Sequence, residues 1–196
     1  MDVRVIRYDH PDARKLDEEV QVEYAERYDG VGDLTHMDAA HFDPPHGLYL
    51  IVYDTDGTPV ASGGWRSQER SDEGYEDGDA EIKRMFVVRA ARGRGLARRI
   101  LAALEDSARE AGRLRMVLET GTEQPEAIAL YTSSGYTPVT KFGFYRFEES
   151  SRCYGKLLTD ATNATNATGT AGAASLTDGF TDGLTDTARK MPSVRP

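Results

Sequence analysis

The chain has 196 residues and a net charge of −9, with 33 acidic residues against 24 basic ones. That length suits one ordinary domain, and the acidic excess disfavours general nucleic-acid binding and docking on an anionic membrane. No apolar run approaches the ~20 residues that cross a bilayer. With one cysteine, Cys153, no intrachain disulfide forms, and the first residues lack the apolar stretch of a secretory signal. We therefore expect a cytoplasmic protein whose partners are neither nucleic acid nor membrane.

Composition changes sharply after Leu158. Residues 159–196 are mainly Thr, Ala, Gly, Asp and Asn, with too few large apolar side chains to offset the entropy of ordering the segment. We expect one domain over residues 1–158, followed by a low-complexity, disordered tail over residues 159–196.

Strand and helix patterns alternate over residues 1–158. Strands are predicted from short apolar or alternating runs between turn residues, and helices from apolar residues at intervals of three and four. In chain order, the predicted elements are a strand over 3–8, a helix over 13–28, strands over 48–53, 59–65 and 80–88, a helix over 95–111, a strand over 116–119, a helix over 125–134, and strands over 144–149 and 153–157. Because this order mixes hairpins with crossovers, it predicts an α/β fold with a mixed central sheet and helices on both faces.

The segment most informative about function runs from a strand into a glycine-bearing loop and then into a long amphipathic helix. Gly93 and Gly95 remove side chains where the backbone must approach a ligand. Free N–H groups at a helix start, together with the positive end of the helix dipole, suit a pyrophosphate. The Gly-Lys-Ser/Thr of a P-loop is absent, and Arg98 stands where the dinucleotide fingerprint needs a small residue. Two interpretations of the segment are left: a phosphate-binding loop of another kind, or a plain helix entry with solvated arginines.

Two runs of residues carry a family resemblance. Arg92-Gly93-Arg94-Gly95-Leu96-Ala97 resembles motif A of the GCN5-related N-acetyltransferases (the GNAT family), whose signature is Arg/Gln-x-x-Gly-x-Gly/Ala. Leu118-Glu119-Thr120, followed by the run from Gln124 to Tyr136, resembles the family's motif B, with Gln124 in the place of its usual Asn. Two motifs in the right order and at the right spacing are more specific than either alone.

The resemblance implies an acetyl-CoA-dependent enzyme in which two central parallel strands splay apart to hold acetyl-CoA. In the family, the pantetheine pairs with the backbone of the first strand, the pyrophosphate lies on the glycine-bearing loop, and an N–H matching that of Val87 donates to the oxyanion. The cofactor-binding residues assigned in this way are Met85, Phe86, Val87, Arg92, Gly93, Arg94, Gly95, Leu96, Ala97 and Gln124.

Direct acetyl transfer to an amine needs a base for the ammonium, donors for the oxyanion and an acid for the departing thiolate. By resemblance Tyr131 is the acid, and its alternative is a tyrosine packed between helix and sheet. Glu81 and Glu119 are the candidate bases, each with the alternative of a solvated or salt-bridged carboxylate. We rank Glu81 first because the family often has an acid on this strand. Strand alternation also predicts that one face of the sheet carries Glu81, Lys83, Met85 and Val87.

The predicted function is transfer of an acetyl group to a primary amine of a small molecule or peptide, by direct attack in a ternary complex. No metal is expected, and a homodimer is possible. The alternative is a non-catalytic acyl-CoA-binding sensor or interaction module. The family builds its acceptor pocket from variable loops, here residues 30–47, 66–78 and 137–144, so the acceptor stays unnamed.

Overall fold

The computed structural model describes residues 1–158, and the tail predicted over 159–196 lies outside the described residues. Short 3₁₀ turns precede the second strand and follow the fourth, at Ala39–Phe42 and Arg89–Ala91. In chain order, the strands and α-helices are β1 (Asp2–Val5), α1 (Pro11–Arg27), β2 (Gly47–Tyr53), β3 (Pro59–Gln68), β4 (Asp79–Val87), α2 (Leu96–Glu110), β5 (Arg115–Gly121), α3 (Pro125–Ser133), β6 (Thr137–Pro138) and β7 (Ser151–Leu157).

The strands form one sheet in the order β1-β2-β3-β4-β5-β7-β6, parallel between β4 and β5 and antiparallel elsewhere. Helix α2 packs on one face, where Ile100, Leu101 and Leu104 are buried against the sheet, and α3 adds Tyr131 to the same core. Helix α1 packs on the other face through Leu16 and its neighbours. The predicted α/β fold with a mixed sheet and helices on both faces is confirmed. Among residues 1–158, no helix is long and apolar enough to cross a membrane.

The predicted strand over 144–149 is wrong. Residues 143–150 are turns, in which Arg146 N–H donates to Gly143 O and Glu148 N–H donates to Tyr145 O. Gly143 has a φ of +78°, a left-handed conformation that ends the extended chain. The aromatic residues that suggested a strand are exposed, because Phe144 and Phe147 keep 54% and 85% of their surface.

Strands β4 and β5 pair over a short length and then separate. Asp79, Ala80 and Glu81 pair with Arg115, Met116 and Val117, and no later residue of β4 pairs with β5. Beyond that point β5 pairs with β7 alone, while β4 stays paired with β3 as far as Val87. At the closed end, Arg115 donates to both carboxylate oxygens of Asp79 at 2.7 and 2.8 Å. The predicted splayed strand pair is therefore present, opening from Glu81 onward.

A β-bulge at Arg84 changes which side chains of β4 share a face. The register passes from Gly64 opposite Lys83 to Ser62 opposite Phe86, so β4 holds one extra residue there, and Arg84 has a φ of +55°. Met85 therefore joins Ile82 on the α2 face instead of lying on the opposite one. The prediction that Glu81, Lys83, Met85 and Val87 share one face is wrong, because the extra residue interrupts the alternation.

Candidate active site

A cavity of about 400 Å³ lies between β4 and β5 where the two strands separate. Its walls come from the end of α1 and the chain after it, from the open parts of β4 and β5, from α3, and from the turns before β7. The lining residues are Tyr24, Tyr28, Val31, Gly32, Asp33, Thr35, Ile82, Lys83, Arg84, Met85, Glu119, Thr120, Gly121, Gln124, Ala127, Tyr131, Tyr145, Glu148, Ser150 and Ser151.

Four of the predicted site residues line this cavity: Glu119, Tyr131, Met85 and Gln124. The other predicted residues lie elsewhere. Glu81 is in a buried ionic cluster, and Phe86 packs in the α1-side core. Val87 is the last residue of β4 and does not line the cavity. The residues after it that were predicted to bind the cofactor do not line the cavity either, namely Arg92, Gly93, Arg94, Gly95, Leu96 and Ala97.

Glu119 lies two residues beyond Val117, the last residue of β5 that pairs with β4. Its carboxylate is therefore about 7 Å into the open part of the strand pair. Ser151 Oγ donates to Glu119 Oε1 at 2.7 Å, and this is its one hydrogen bond with the described residues. Burial raises the pKa of Glu119 above its ordinary value, although the Ser151 hydroxyl and the Lys83 cation partly oppose the shift. A carboxylate with a raised pKa is a better proton acceptor than an ordinary one.

Tyr131 reaches the cavity from α3, on the face of the sheet opposite Glu119. Glu119 alternates with Leu118 and Thr120 along β5, and Leu118 belongs to the α2-side core together with Tyr131. The Tyr131 ring packs edge-on against Tyr136 with centroids 5.6 Å apart. Its hydroxyl makes no hydrogen bond with residues 1–158, and burial raises the pKa of Tyr131 above the ordinary phenol value. Tyr131 is packed against the sheet and also lines the cavity, and its role as the acid stays a prediction.

Glu81 sits at the last paired position of β4 and has no exposed surface. Arg66 Nε and Lys83 Nζ each lie 2.7 Å from its carboxylate, and Gln68 and the Tyr75 hydroxyl donate to it at 2.9 Å. Burial alone would raise the pKa of Glu81, but Lys83 and Arg66 outweigh it and hold the pKa at about 2. A carboxylate with four donors and such a low pKa is a poor proton acceptor.

The loop between β4 and α2 presents unpaired backbone donors. The N–H groups from Gly93 to Arg98 donate to no group within residues 1–158. Gly93 and Gly95 both have a φ of +76°, and a Cβ placed on either one would meet nothing within 4 Å. The loop therefore offers free N–H groups at a helix start, beneath open space, which is the arrangement that binds a phosphate.

The arginine side chains of this loop are engaged with protein groups. Arg92 donates to Val87 O at 3.0 Å and pairs with Glu23 of α1. Arg94 pairs with Asp54 at 2.8 Å. These contacts hold the loop in position, so the anion-binding capacity of the segment comes chiefly from its backbone.

The residues present fit a bound acyl-CoA. The open edge of β4 after Glu81 has no strand partner on the β5 side, and Met85 lines the gap beside it. Thr120 Oγ1, on the facing strand, is buried without a hydrogen-bond partner among the described residues. An orphaned hydroxyl in a cavity wall is available to a bound group or to a water molecule.

Sequence reasoning missed several charged residues of the cavity. Arg84 is buried and ion-paired with Asp17 of α1 and with Asp33, while Lys83 pairs with Glu81. Burial would raise the pKa of Asp33, but the Arg84 cation outweighs it and lowers the pKa below its usual value. The one sequence signal for Lys83 and Arg84 was their place on the strand before motif A, and Asp33 had none. Within residues 1–158, no group of three or more His, Cys, Asp or Glu is placed to hold a metal ion.

The chain is similar in sequence to known acetyltransferases. A family model described as the acetyltransferase (GNAT) family matches residues 13–136. An IAA acetyltransferase of Azospirillum brasilense is 47% identical over 70 residues, which cover 36% of this chain and 46% of that protein. The uncharacterized N-acetyltransferase YjgM of Escherichia coli (strain K12) is 30% identical over 138 residues, covering 68% of this chain and 79% of that protein. This chain thus spans less than half of the first relative and about four fifths of the second.

Solved structures share the fold. A Klebsiella pneumoniae protein assigned as an acyl-CoA N-acyltransferase has a TM-score of 0.64 at 28% identity, over 81% of this chain and 97% of that one. An aminoglycoside 6'-N-acetyltransferase complexed with coenzyme A has a TM-score of 0.58 at 14% identity, over 82% of this chain and 98% of that one. The second likeness is one of fold alone.

Proposed function

The chain belongs to the acetyltransferase (GNAT) family and is an acyltransferase, and from this premise we propose that it transfers the acetyl group of acetyl-CoA to a primary amine of a small molecule or peptide. The observation that carries the proposal is the opening between β4 and β5. It forms one cavity to which Glu119 contributes from one face of the sheet and Tyr131 from the other. The coenzyme A complex of a protein with the same fold adds support.

In this proposal two parts of the chain contact one bound acetyl-CoA molecule. The free N–H groups from Gly93 to Arg98 receive the pyrophosphate, since they need no rearrangement to do so. The open edge of β4, including Met85, receives the pantetheine, and Phe86 and Val87 hold that edge by packing and by pairing with β3. The Gln124 side chain, bonded to the Tyr28 hydroxyl at 3.2 Å, closes the cavity wall beside α3.

Glu119 acts as the base in this proposal, and Glu81 does not. Glu119 takes one proton from the ammonium, which frees the nitrogen lone pair. The nitrogen then forms a bond to the thioester carbonyl carbon, and the carbon–sulfur bond breaks. Tyr131 donates its proton to the departing sulfur and regains one from the nitrogen, which loses its second proton as the amide forms. The net reaction releases one proton, held at Glu119 until solvent removes it.

We assign Glu81 a supporting role. Its carboxylate fixes Lys83 and Arg66, so the cation of Lys83 remains at the wall of the cavity opposite Glu119. A reacting amine would reach this carboxylate only by displacing four donors. The proposal includes a cytoplasmic location, which is supported by a free, buried Cys153 thiol that needs no oxidising compartment.

The test is acetyl transfer by the full chain to a panel of primary amines, read by release of free thiol. Thiol release that depends on both acetyl-CoA and an amine, and that falls in Glu119→Gln, supports the proposal. Tight acetyl-CoA binding by calorimetry with no turnover on any amine would instead establish the acyl-CoA-binding module.

A further inference from the structure

The charged side chains that line the cavity differ in whether they have an ion-pair partner. Both cations of its wall are committed, because Lys83 pairs with Glu81 and Arg84 pairs with Asp17 and Asp33. Glu119 accepts a single hydroxyl hydrogen bond, from Ser151. The Glu148 carboxylate makes no ion pair or hydrogen bond with residues 1–158. Among the residues that line the cavity, the charge without an ion-pair partner is therefore negative. This charge favours a cationic acceptor and disfavours an acceptor that carries a carboxylate.

Four exposed apolar residues lie on the chain segments that line this cavity. We call them the apolar rim, and each lies in or beside a lining residue: Val31 lines the cavity, Leu34 lies between Asp33 and Thr35, Phe144 packs on Tyr145, and Phe147 precedes Glu148. Their exposed fractions are 51%, 65%, 54% and 85% in that order. Apolar side chains that cluster beside a pocket mark a surface that a ligand covers.

The two loops that carry the apolar rim are joined by one tyrosine. Leu34 N–H donates to the Tyr145 hydroxyl at 2.6 Å, and that hydroxyl donates to Asp33 Oδ1 at 3.2 Å. The loop after α1 and the turns before β7 are therefore held as one wall. A wall fixed in this way presents its apolar groups without an ordering cost on binding.

Arg146, a cation next to the apolar rim, disfavours an acceptor that carries a second ammonium group. The Arg146 guanidinium lies over the Phe147 ring, 4.6 Å from its centroid, and is held by a 2.8 Å bond to Gly143 O. A second ammonium on a linear diamine would meet this charge and would leave the apolar side chains in water. A monoamine with an apolar body has neither disadvantage.

Resting on the function proposed above, we propose that the acceptor is a monoamine with an apolar body, aromatic or branched. Its ammonium binds at Glu119, and its apolar part covers Val31, Leu34, Phe144 and Phe147. Acceptors with a carboxylate next to the amine, such as free amino acids, are excluded by the uncommitted carboxylates of the cavity.

The experiment compares kcat/KM for four amines with the full chain at saturating acetyl-CoA. The amines are 2-phenylethylamine, ethylamine, phenylalanine and 1,4-diaminobutane. We expect 2-phenylethylamine to exceed each of the others by about 30-fold or more, a factor in the range that apolar contacts supply. A preference for phenylalanine or for the diamine overturns the inference.

Two variants of the apolar rim and one control variant test whether the rim causes the preference for 2-phenylethylamine. Leu34→Ser and Phe144→Ser should each lower the ratio of kcat/KM for 2-phenylethylamine to that for ethylamine by about tenfold. Both side chains are exposed, so the variants should melt close to wild type. Val5→Ser, an exposed position with 61% of its surface free on the edge strand β1, should leave the ratio unchanged. An unchanged ratio in both rim variants overturns the inference.

A binding measurement separates failure of the inference from failure of the proposed function. If acetyl-CoA binds and no amine is acetylated, the proposed function fails. Calorimetry of 2-phenylethylamine and ethylamine with the CoA-loaded chain then tests the cavity directly. Tighter binding of 2-phenylethylamine, reduced in Phe144→Ser, upholds the inference, and equal binding of the two amines rejects it.

Discussion

At the scale of single residues, the roles of two glutamates follow from their partners. Glu81 and Glu119 lie on adjacent parallel strands and face the same side of the sheet. Glu81 has two cations and two neutral donors around it, and its pKa is about 2. Glu119 has one hydroxyl donor, and burial raises its pKa. The poorly solvated carboxylate with few partners is therefore the one suited to accept a proton.

Replacing Glu119 by Gln should change the pH profile of kcat/KM for the amine at saturating acetyl-CoA. In the proposed mechanism the ionised Glu119 acts on the ammonium, so the wild-type profile rises through the raised pKa of Glu119 and levels off above it. In the variant only free amine reacts, so kcat/KM should climb with unit slope up to the pKa of the amine. At neutral pH the loss should be ~10²-fold or more.

The control for this change is Glu18→Gln, an exposed carboxylate on α1, which should keep the wild-type profile. A level profile retained in Glu119→Gln would remove Glu119 from the mechanism.

Substitutions at Tyr131 and Tyr136 test catalysis and packing separately. Tyr131→Phe removes a hydroxyl that has no partner within residues 1–158, so the melting temperature should stay close to wild type. In the proposed mechanism that hydroxyl protonates the thiolate in the transition state, so kcat should fall ~10²–10⁴-fold with little change in the KM for acetyl-CoA. Steady-state kinetics and thermal melts measure both quantities.

Tyr136→Phe is the matched control, because Tyr136 donates to the buried Glu105 at 3.0 Å. It should lower stability by about 1–3 kcal/mol and spare kcat. If kcat of Tyr131→Phe stays within twofold of wild type with chemistry rate-limiting, Tyr131 is not the acid.

At the scale of elements, the loop before α2 presents free backbone N–H groups, and the conformation of its glycines determines how those groups are exposed. Gly95 in the loop and Gly112 after α2 have φ values of +76° and +75°, and a Cβ on either meets nothing within 4 Å. Alanine at each position therefore incurs the same left-handed strain of roughly 1–2 kcal/mol. What differs is the surroundings, since the N–H groups beside Gly95 are free.

Gly95→Ala should weaken acetyl-CoA binding at least tenfold, about 1.4 kcal/mol, because its methyl group occupies space above the free N–H groups. Gly112→Ala should lose comparable stability and keep its affinity. Calorimetric titration of acetyl-CoA with both folded variants makes the comparison. Equal affinities would show that the phosphates bind elsewhere.

At the scale of the whole molecule, the buried ion cluster around Glu81 makes stability depend on pH. The folded pKa of Glu81, about 2, lies below the unfolded value of ~4.3. A lowered folded pKa stabilises the fold above the unfolded pKa, and that contribution disappears as the pH falls toward 2. The loss should be on the order of 3 kcal/mol.

Urea unfolding at neutral and acid pH should detect the Glu81 contribution. Glu81→Gln should cost about 3–5 kcal/mol at neutral pH, because Arg66 and Lys83 keep buried charges without a counter-ion, and it should flatten the acid limb. Glu119→Gln should be neutral or stabilising at neutral pH, since a raised pKa means that the folded state disfavours the ionised form. A stability loss in Glu119→Gln equal to that in Glu81→Gln would contradict the separate roles.

The sequence by itself determined the order of the elements as far as α3 and the loop before α2, but it placed a strand at 144–149 and missed β6. Apolar periodicity places the strands and helices to within a few residues because it reflects burial that is local to each element. The glycines at 93 and 95, followed by an amphipathic helix, likewise report backbone geometry within one short segment. The turns at 143–150 escaped prediction because aromatic residues there resemble a strand, although Phe144 and Phe147 are exposed to solvent.

Only the tertiary structure decided which of the two carboxylates lacks cationic partners and which groups surround the cavity. Arg66, which neutralises Glu81, comes from β3, and the bulge at Arg84 shifts the faces of β4 in a way that no alternation pattern contains. The apolar rim joins chain segments around Leu34 and Tyr145 that are more than a hundred residues apart. Ion pairing, burial and cavity walls are properties of groups brought together across the chain, so they exist only once the sheet has formed.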